Sequence, residues 1–376
     1  MKIGIITMHR VAHFGSVLQA YALQKFLFDN GLDNEIIDYV YPNRQHLKPL
    51  RKRLRSILAK KYHAIINFLT NSNKDSKSET IGFIRNELVK SKKKYKSAEK
   101  LVADCPRYDI YLTGSDQVWN TDYLNGDTSF FCSFVNNGAP KLSYAASFGR
   151  FTFEGDDAKR WLSNLSSYKA LSVREKNAKE IIKKHAGLDA ELVVDPTLLL
   201  SKKSWGEFAG EKPMVEGKYI LVYILSYAWN PFPYALDTVS HFEKLTGWKV
   251  VVIEPIFRRS DYPQWQYTDN LSPHQFVNLI NNAALVVTNS FHGTSFSINL
   301  ETPFISIINR NKVNDDRIKS LCETVGCDDS LLMAESPMPE FPCHDFSKST
   351  RNLEEIRKKS ANFLLSAISA NRPDKN

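Results

Sequence analysis

Ten short apolar runs, rich in β-branched residues, alternate with stretches of helical periodicity along this chain. That alternation is the signature of strands joined by crossover helices, and it restricts the fold to the α/β class. The expected strands are 2–7, 35–39, 109–113, 142–146, 170–173 and 191–194, followed by a second series at 219–225, 249–253, 284–288 and 303–308. Between the series, Asp195-Pro196-Thr197-Leu198-Leu199-Leu200 leads into a polar helical stretch ending at Gly217, where the domain boundary is expected. A chain of 376 residues exceeds one ordinary core. Two Rossmann-like, doubly wound domains facing a cleft follow. We expect the first over 1–205, with a basic helical insertion at 44–100, and the second over 206–350. A helix and tail at 351–376 pack on either one.

Composition excludes several classes. With 43% hydrophobic and 12% aromatic residues the chain is neither disordered nor fibrous. No apolar run approaches the ~18 residues needed to cross a bilayer. The start, Met1-Lys2-Ile3-Gly4-Ile5-Ile6-Thr7, reads as a strand, not a signal peptide. Five scattered cysteines without a C-x-x-C pair point to a reduced, cytoplasmic protein without zinc. His9 and His13 have a spacing that suits a metal, but a loop is a poor place for one, so no metal is expected. Residues 44–100 hold 17 Lys/Arg against 4 Asp/Glu, which leaves that segment at +13 and, from a total of +9, the remainder at −4. Nucleic acid is therefore not an expected partner. Within the segment, Leu50, Leu54, Ile57, Leu58, Ile65, Ile66 and Leu69 recur at helical spacing among lysines and arginines. This basic amphipathic helix over 50–69 suits an anionic membrane surface or an anionic partner, or is simply a domain helix with a solvated cationic face.

Candidate site groups cluster where strands end. The run Val286-Val287-Thr288 breaks at Asn289-Ser290-Phe291-His292-Gly293, and Ser297-Ile298-Asn299-Leu300 continues as a helix. Free N–H groups at such a helix start attract phosphate, and His292 is placed to move a proton. The alternative is that Asn289 and Ser290 cap the helix while His292 packs. After 109–113, Asp116 suits a base for a sugar hydroxyl and Trp119 a flat platform for a sugar ring; equally, Asp116 closes a turn and Trp119 fills the core. Ser143-Tyr144-Ala145-Ala146-Ser147-Phe148-Gly149 is a third strand-to-turn element. Arg174 suits a carboxylate or phosphate through its fork, or an ion pair with Glu175 or Asp195. Arg310 and Arg317 are reserve cations. In the loop after strand 1, Gly15 permits close approach to a ligand and Ser16 is an N-cap candidate for a helix over 17–29. No G-x-G-x-x-G follows, so no dinucleotide cofactor is expected, and no G-x-S-x-G frames a nucleophilic serine.

Taken together, the chain resembles the polysaccharide pyruvyl transferase family. The resemblance lies in Gly15-Ser16-Val17-Leu18-Gln19-Ala20-Tyr21-Ala22-Leu23, Thr113-Gly114-Ser115-Asp116-Gln117-Val118-Trp119-Asn120, Ser143-Tyr144-Ala145-Ala146-Ser147-Phe148-Gly149, Ser172-Val173-Arg174-Glu175, Asp195-Pro196-Thr197 and Ser290-Phe291-His292-Gly293. These run in order from residue 15 to about 320. One departure stands out: the family usually has asparagine where this chain has His13.

The resemblance implies a two-domain enzyme of the GT-B type that moves pyruvate from phosphoenolpyruvate to a pair of sugar hydroxyls as a ketal, in bacterial surface polysaccharide biosynthesis. Phosphoenolpyruvate is then a co-substrate, and no other cofactor is implied. His292 and Asp116 become the catalytic candidates. Arg174, Asn289, Ser290, Gly293, Arg310 and Arg317 are the candidate donor ligands. Phe14, Gly15, Ser16, Trp119 and Tyr144 line the acceptor side. The acceptors of such enzymes are often lipid-linked, and the 50–69 helix would then hold the protein at the inner membrane face. A nucleotide-sugar glycosyltransferase and a non-catalytic saccharide-binding protein are the alternatives on the same fold.

Overall fold

The computed structural model describes residues 1–41, 77–149, 161–226, 229–309, 316–342 and 344–373. Strands β1 (Lys2–Ile6), β2 (Asp33–Tyr39), β3 (Lys90–Tyr95), β4 (Ile110–Thr113), β5 (Lys141–Ser143) and β6 (Tyr168–Ala170) form one sheet in the order β3-β2-β1-β4-β5-β6. A short ribbon pairs β7 (Ser172–Val173) with β8 (Glu191–Leu192). The second sheet takes β9 (Tyr219–Tyr223), β10 (Lys249–Ile253), β11 (Gln266–Thr268), β12 (Leu285–Thr288), β13 (Phe304–Ile308) and β14 (Leu331–Met333), in the order β11-β10-β9-β12-β13-β14. Every pairing is parallel. Both sheets thus have doubly wound order, each with a switch point where its first and fourth strands lie side by side.

Composition along each strand follows from its place. Central strands of a parallel sheet are covered on both faces and read as continuous apolar runs. Tyr219-Ile220-Leu221-Val222-Tyr223 and Leu285-Val286-Val287-Thr288 are buried at every position. The edge strand β3, Lys90-Ser91-Lys92-Lys93-Lys94-Tyr95, exposes three of its lysines, and charge on an edge blocks pairing with another sheet. It corrects the expectation of a wholly helical insertion over 44–100: a helix at Ser78–Asn86 is followed by a strand whose lysines carry no apolar periodicity. The basic 50–69 helix lies outside the described residues. Strands β11, Gln266-Tyr267-Thr268, and β14, Leu331-Leu332-Met333, were likewise not expected: the first has no apolar run and the second only a three-residue one. The expected 170–173 strand divides at Leu171 between the main sheet and the ribbon. No described helix is long and apolar enough to cross a membrane.

Two helices bind the halves together. Phe14–Asp29 is buried along most of its length between the sheets, with Phe14 stacked on Phe276 at 4.4 Å and Tyr21 against Trp205 and Phe208. Phe346–Ala370 returns from the C-terminal half and touches both sides. Ser360 Oγ accepts from Val194 N at 3.0 Å, and Arg357 donates to Leu198 O at 2.6 Å and to Asn299 Oδ1 at 2.7 Å. Arg357→Ala leaves both acceptors without their charged donor, so unfolding free energy in denaturant titration should fall by about 2–3 kcal/mol. A loss under roughly 0.5 kcal/mol would show that this contact does not tie the halves.

Candidate active site

The site is assembled from both switch points. The loop after β1 supplies His13, the first turn of the helix that follows supplies Ser16, and the loop after β4 supplies Asp116. Across the gap, the β12 end supplies Ser290 and His292. Together with Met8, Val11, Tyr41, Lys77, Gln117, Tyr123, Phe291 and Arg317 they line a cleft of about 340 Å³. Ligands in open α/β sheets bind at such carboxyl edges.

Each side chain has a local cause. His13, not Ser16, is the N-cap of the first helix, which starts at Phe14, three residues before expectation. Ser16 lies inside that helix and its hydroxyl donates to Asp116 Oδ2. Asp116 is held in the left-handed region at φ 72°, strained for a residue with a side chain, and Gln117 N donates to its other oxygen at 2.8 Å. On the opposite side, the helix begins at Phe291 instead of Ser297 and is buried throughout. Ser290 caps it by accepting from Gly293 N. Ser295 and Ser297 bond back to carbonyls four residues earlier, so the buried hydroxyls are satisfied. A Cβ on Gly293 would lie 2.6 Å from Thr288 Oγ1, so this glycine serves close helix–strand packing. The two halves meet at Gly15, where a Cβ would fall 2.1 Å from His292 Nδ1.

Behind the cleft lies a buried charge cluster that the sequence motifs had separated. Asp195 Oδ2 accepts from Arg174 Nη1 at 2.7 Å and Ser115 Oγ at 2.9 Å, while Oδ1 accepts from Thr197 N and Thr197 Oγ1. Arg174 also lies 3.8 Å from Asp116 and 3.7 Å from Glu175. Its guanidinium packs over the Phe291 ring at 4.7 Å, and that of Arg317 packs over the same ring at 5.7 Å. Arg174 lines a smaller cavity of about 200 Å³ beside the cleft. Burial alone would raise the carboxyls of Asp116 and Asp195, yet both are held below the usual carboxylate range, because Arg174, His292 and their hydrogen-bond donors outweigh it. Burial lowers His292 to about 4, with Arg174 and His13 adding to the effect and the aspartates opposing it. Its Nε2 stands 3.8 Å from Asp195 and has no hydrogen bond among the described residues.

Several expected ligands have other work. Trp119 is fully buried, stacked on Phe131 with its Nε1 bonded to Phe130 O, so it offers no face to a sugar. Tyr144 is equally buried in the core, and Phe14 packs on Phe276. Asn289 exchanges two 2.7 Å hydrogen bonds with the Leu225 backbone and neither caps the helix nor faces a ligand with its amide. Arg310 lies outside the described residues. The metal pairing considered for His9 and His13 does not form: His9 is tied to Thr7 O and Asp38, and His13 to Tyr223. Tyr41, Lys77 and Tyr123 line the cleft without any local motif to announce them.

The model of the polysaccharide pyruvyl transferase family matches residues 13–311. The chain belongs to that family. No curated protein matches it. Among solved structures this family member is similar to the UDP-GlcNAc 2-epimerase of Methanocaldococcus jannaschii, at 12% identity and TM-score 0.57, covering 98% of this chain and 100% of that one. It is also similar to a putative UDP-N-acetylglucosamine 2-epimerase from Listeria monocytogenes, at 11% identity and TM-score 0.54, covering 100% and 99%. At such identities the likeness is one of fold, and that fold is GT-B.

His292 gives the site a pH signature. Its folded value, about 4, lies below its ordinary 6.5, so the unfolded chain takes up the proton first as pH falls. Stability is thus unaffected above about 6.5 and is lost between there and about 4, on the order of 3 kcal/mol. His292→Leu should flatten the pH dependence of the denaturation midpoint across that window. Parallel wild-type and variant curves would contradict a neutral, buried imidazole.

Proposed function

We propose that this protein transfers pyruvate from phosphoenolpyruvate to two hydroxyls of a saccharide, forming a cyclic ketal and releasing phosphate. Family membership supports a polysaccharide acceptor. One observation supports the donor above others. Around Phe291, Arg174 Nε and Nη2, Arg317 Nε and His292 Nε2 are buried nitrogens with no hydrogen-bond partner among the described residues. Buried polar nitrogens are nearly always paired, so three guanidinium donors and one imidazole nitrogen left open on three neighbouring side chains suit a compact ligand rich in anionic oxygens. Phosphoenolpyruvate, with a phosphate and a carboxylate on adjoining carbons, is such a ligand.

The chemistry then follows from charge. In the unliganded site His292 is neutral. A bound polyanion beside it favours the imidazolium, so donor binding itself loads the proton that the methylene carbon requires. Protonation there makes C2 electrophilic, an acceptor hydroxyl adds, phosphate departs, and the second hydroxyl closes the ring. Arg317, with the open nitrogens of Arg174, balances the charge on the departing phosphate. Ser16 and Asp116 lie on the acceptor side.

Incubation with phosphoenolpyruvate and a panel of glycan acceptors, some lipid-linked, should release phosphate and add to the glycan the mass of one pyruvic acid less one water. Release of nucleoside diphosphate from a nucleotide sugar instead would favour a glycosyltransferase. Within this scheme Arg317→Ala should raise KM for phosphoenolpyruvate about tenfold or more with little change in melting temperature. Arg174→Ala should differ: it strands Asp195 in the interior and should also lower stability by about 3–5 kcal/mol. An Arg317→Ala enzyme with wild-type KM would remove this residue from the donor site.

A further inference from the structure

His13 occupies a position that normally serves another purpose. It is the N-cap of the Phe14–Asp29 helix, with extended backbone at φ −141° and ψ 132°, yet its side chain makes no capping hydrogen bond. Asparagine, aspartate or serine here would accept from a first-turn N–H and stabilise the helix. The imidazole instead lines the same cleft as His292 and Asp116, and its Nε2 meets Tyr223 Oη of the opposite sheet at 3.3 Å. Two histidines therefore flank one cavity, one from each half.

Ketal formation needs two proton-transfer groups in opposite states: one gives a proton to the methylene carbon while another takes a proton from the attacking hydroxyl. Asp116 is a weak choice for the second, since Arg174, Ser16 and Gln117 N stabilise its carboxylate. We propose, resting on the pyruvyl-transfer reading above, that His13 is the base that takes the proton of the acceptor hydroxyl. As the hydroxyl oxygen bonds to C2, its proton passes to His13 and the proton of His292 passes to the methylene carbon, giving a tetrahedral phosphate adduct. The C2–phosphate bond then breaks, and phosphate leaves with the proton held by His13. The second hydroxyl adds to C2 and returns its proton to His292. Two hydroxyl protons are released, one ends in the methyl group and one on phosphate, and no oxidant is needed.

The groups that face His13 favour its neutral form. Burial lowers its proton affinity and Lys77 adds to that, with Asp116 opposing; His292 and Tyr223 face it from the other half. The test is His13→Asn, which removes the imidazole and restores a capping side chain. Melting temperature should stay level or rise, kcat should fall about 10²-fold or more, and KM for phosphoenolpyruvate should move less than about 3-fold. The acid limb of the kcat/KM profile set by His13 should disappear, and His13→Gln should behave alike. An active wild type whose His13→Asn variant keeps its kcat and acid limb sinks this assignment alone. A wild type that releases no phosphate from phosphoenolpyruvate sinks the donor reading with it.

Discussion

One carboxylate organises the interior. A buried charge is tolerable only when donors replace the water it loses, and Asp195 receives four: Arg174, Ser115, and the amide and hydroxyl of Thr197. Satisfying it fixes three separate segments at once. Ser115 belongs to the turn after β4 and so fixes the backbone that carries Asp116. Arg174 ends β7. Thr197 sits in the crossover between the halves, and its carbonyl holds both Trp205 and Asn299. Asn299 is in the helix that carries His292 in its first turn, so the imidazole is positioned through a chain of bonds that begins at one carboxylate in the other half.

The surroundings of that carboxylate also set the character of the cleft. Protein dipoles and one guanidinium stand where water would be, so charges there act strongly on one another. A neutral imidazole in such surroundings responds to an arriving anion far more than an exposed one would. The same features that depress its proton affinity in the empty site make it sensitive to a ligand. Phe291, with both guanidinium groups over its ring, gathers those charges at the entrance to the helix.

Much of this was legible in the sequence, and the failures have definite causes. Strands such as 219–223 and 285–288 are covered on both faces, so their apolar runs announced them, and the series of runs on either side of Asp195 separated the two sheets. Edge strand β3 was hidden because an edge strand favours lysine, which reads as a solvated helix. His292, Asp116 and Ser16 were marked by strand ends followed by polar residues. Trp119 and Asn289 were marked by the same signal and misread, since aromatic and amide groups beside a strand end serve packing and backbone ties as readily as ligands. Position 13 carried a clue in its departure from the asparagine usual in the family. Lys77, Tyr41 and Tyr123 carried none, because only the folded chain brings them to one cavity.

The absence of a side chain at residue 15 makes the two halves answerable to each other. An imidazole ring fills the space that any larger residue there would need. Neither position can drift independently through evolution: a methyl group gained on one side must be matched by a smaller ring, or by a shifted helix, on the other. Relatives that replace this glycine should therefore be found to have altered residue 292 or its backbone in step, and exchanging whole halves between distant relatives should succeed only when residue 15 of one parent fits residue 292 of the other.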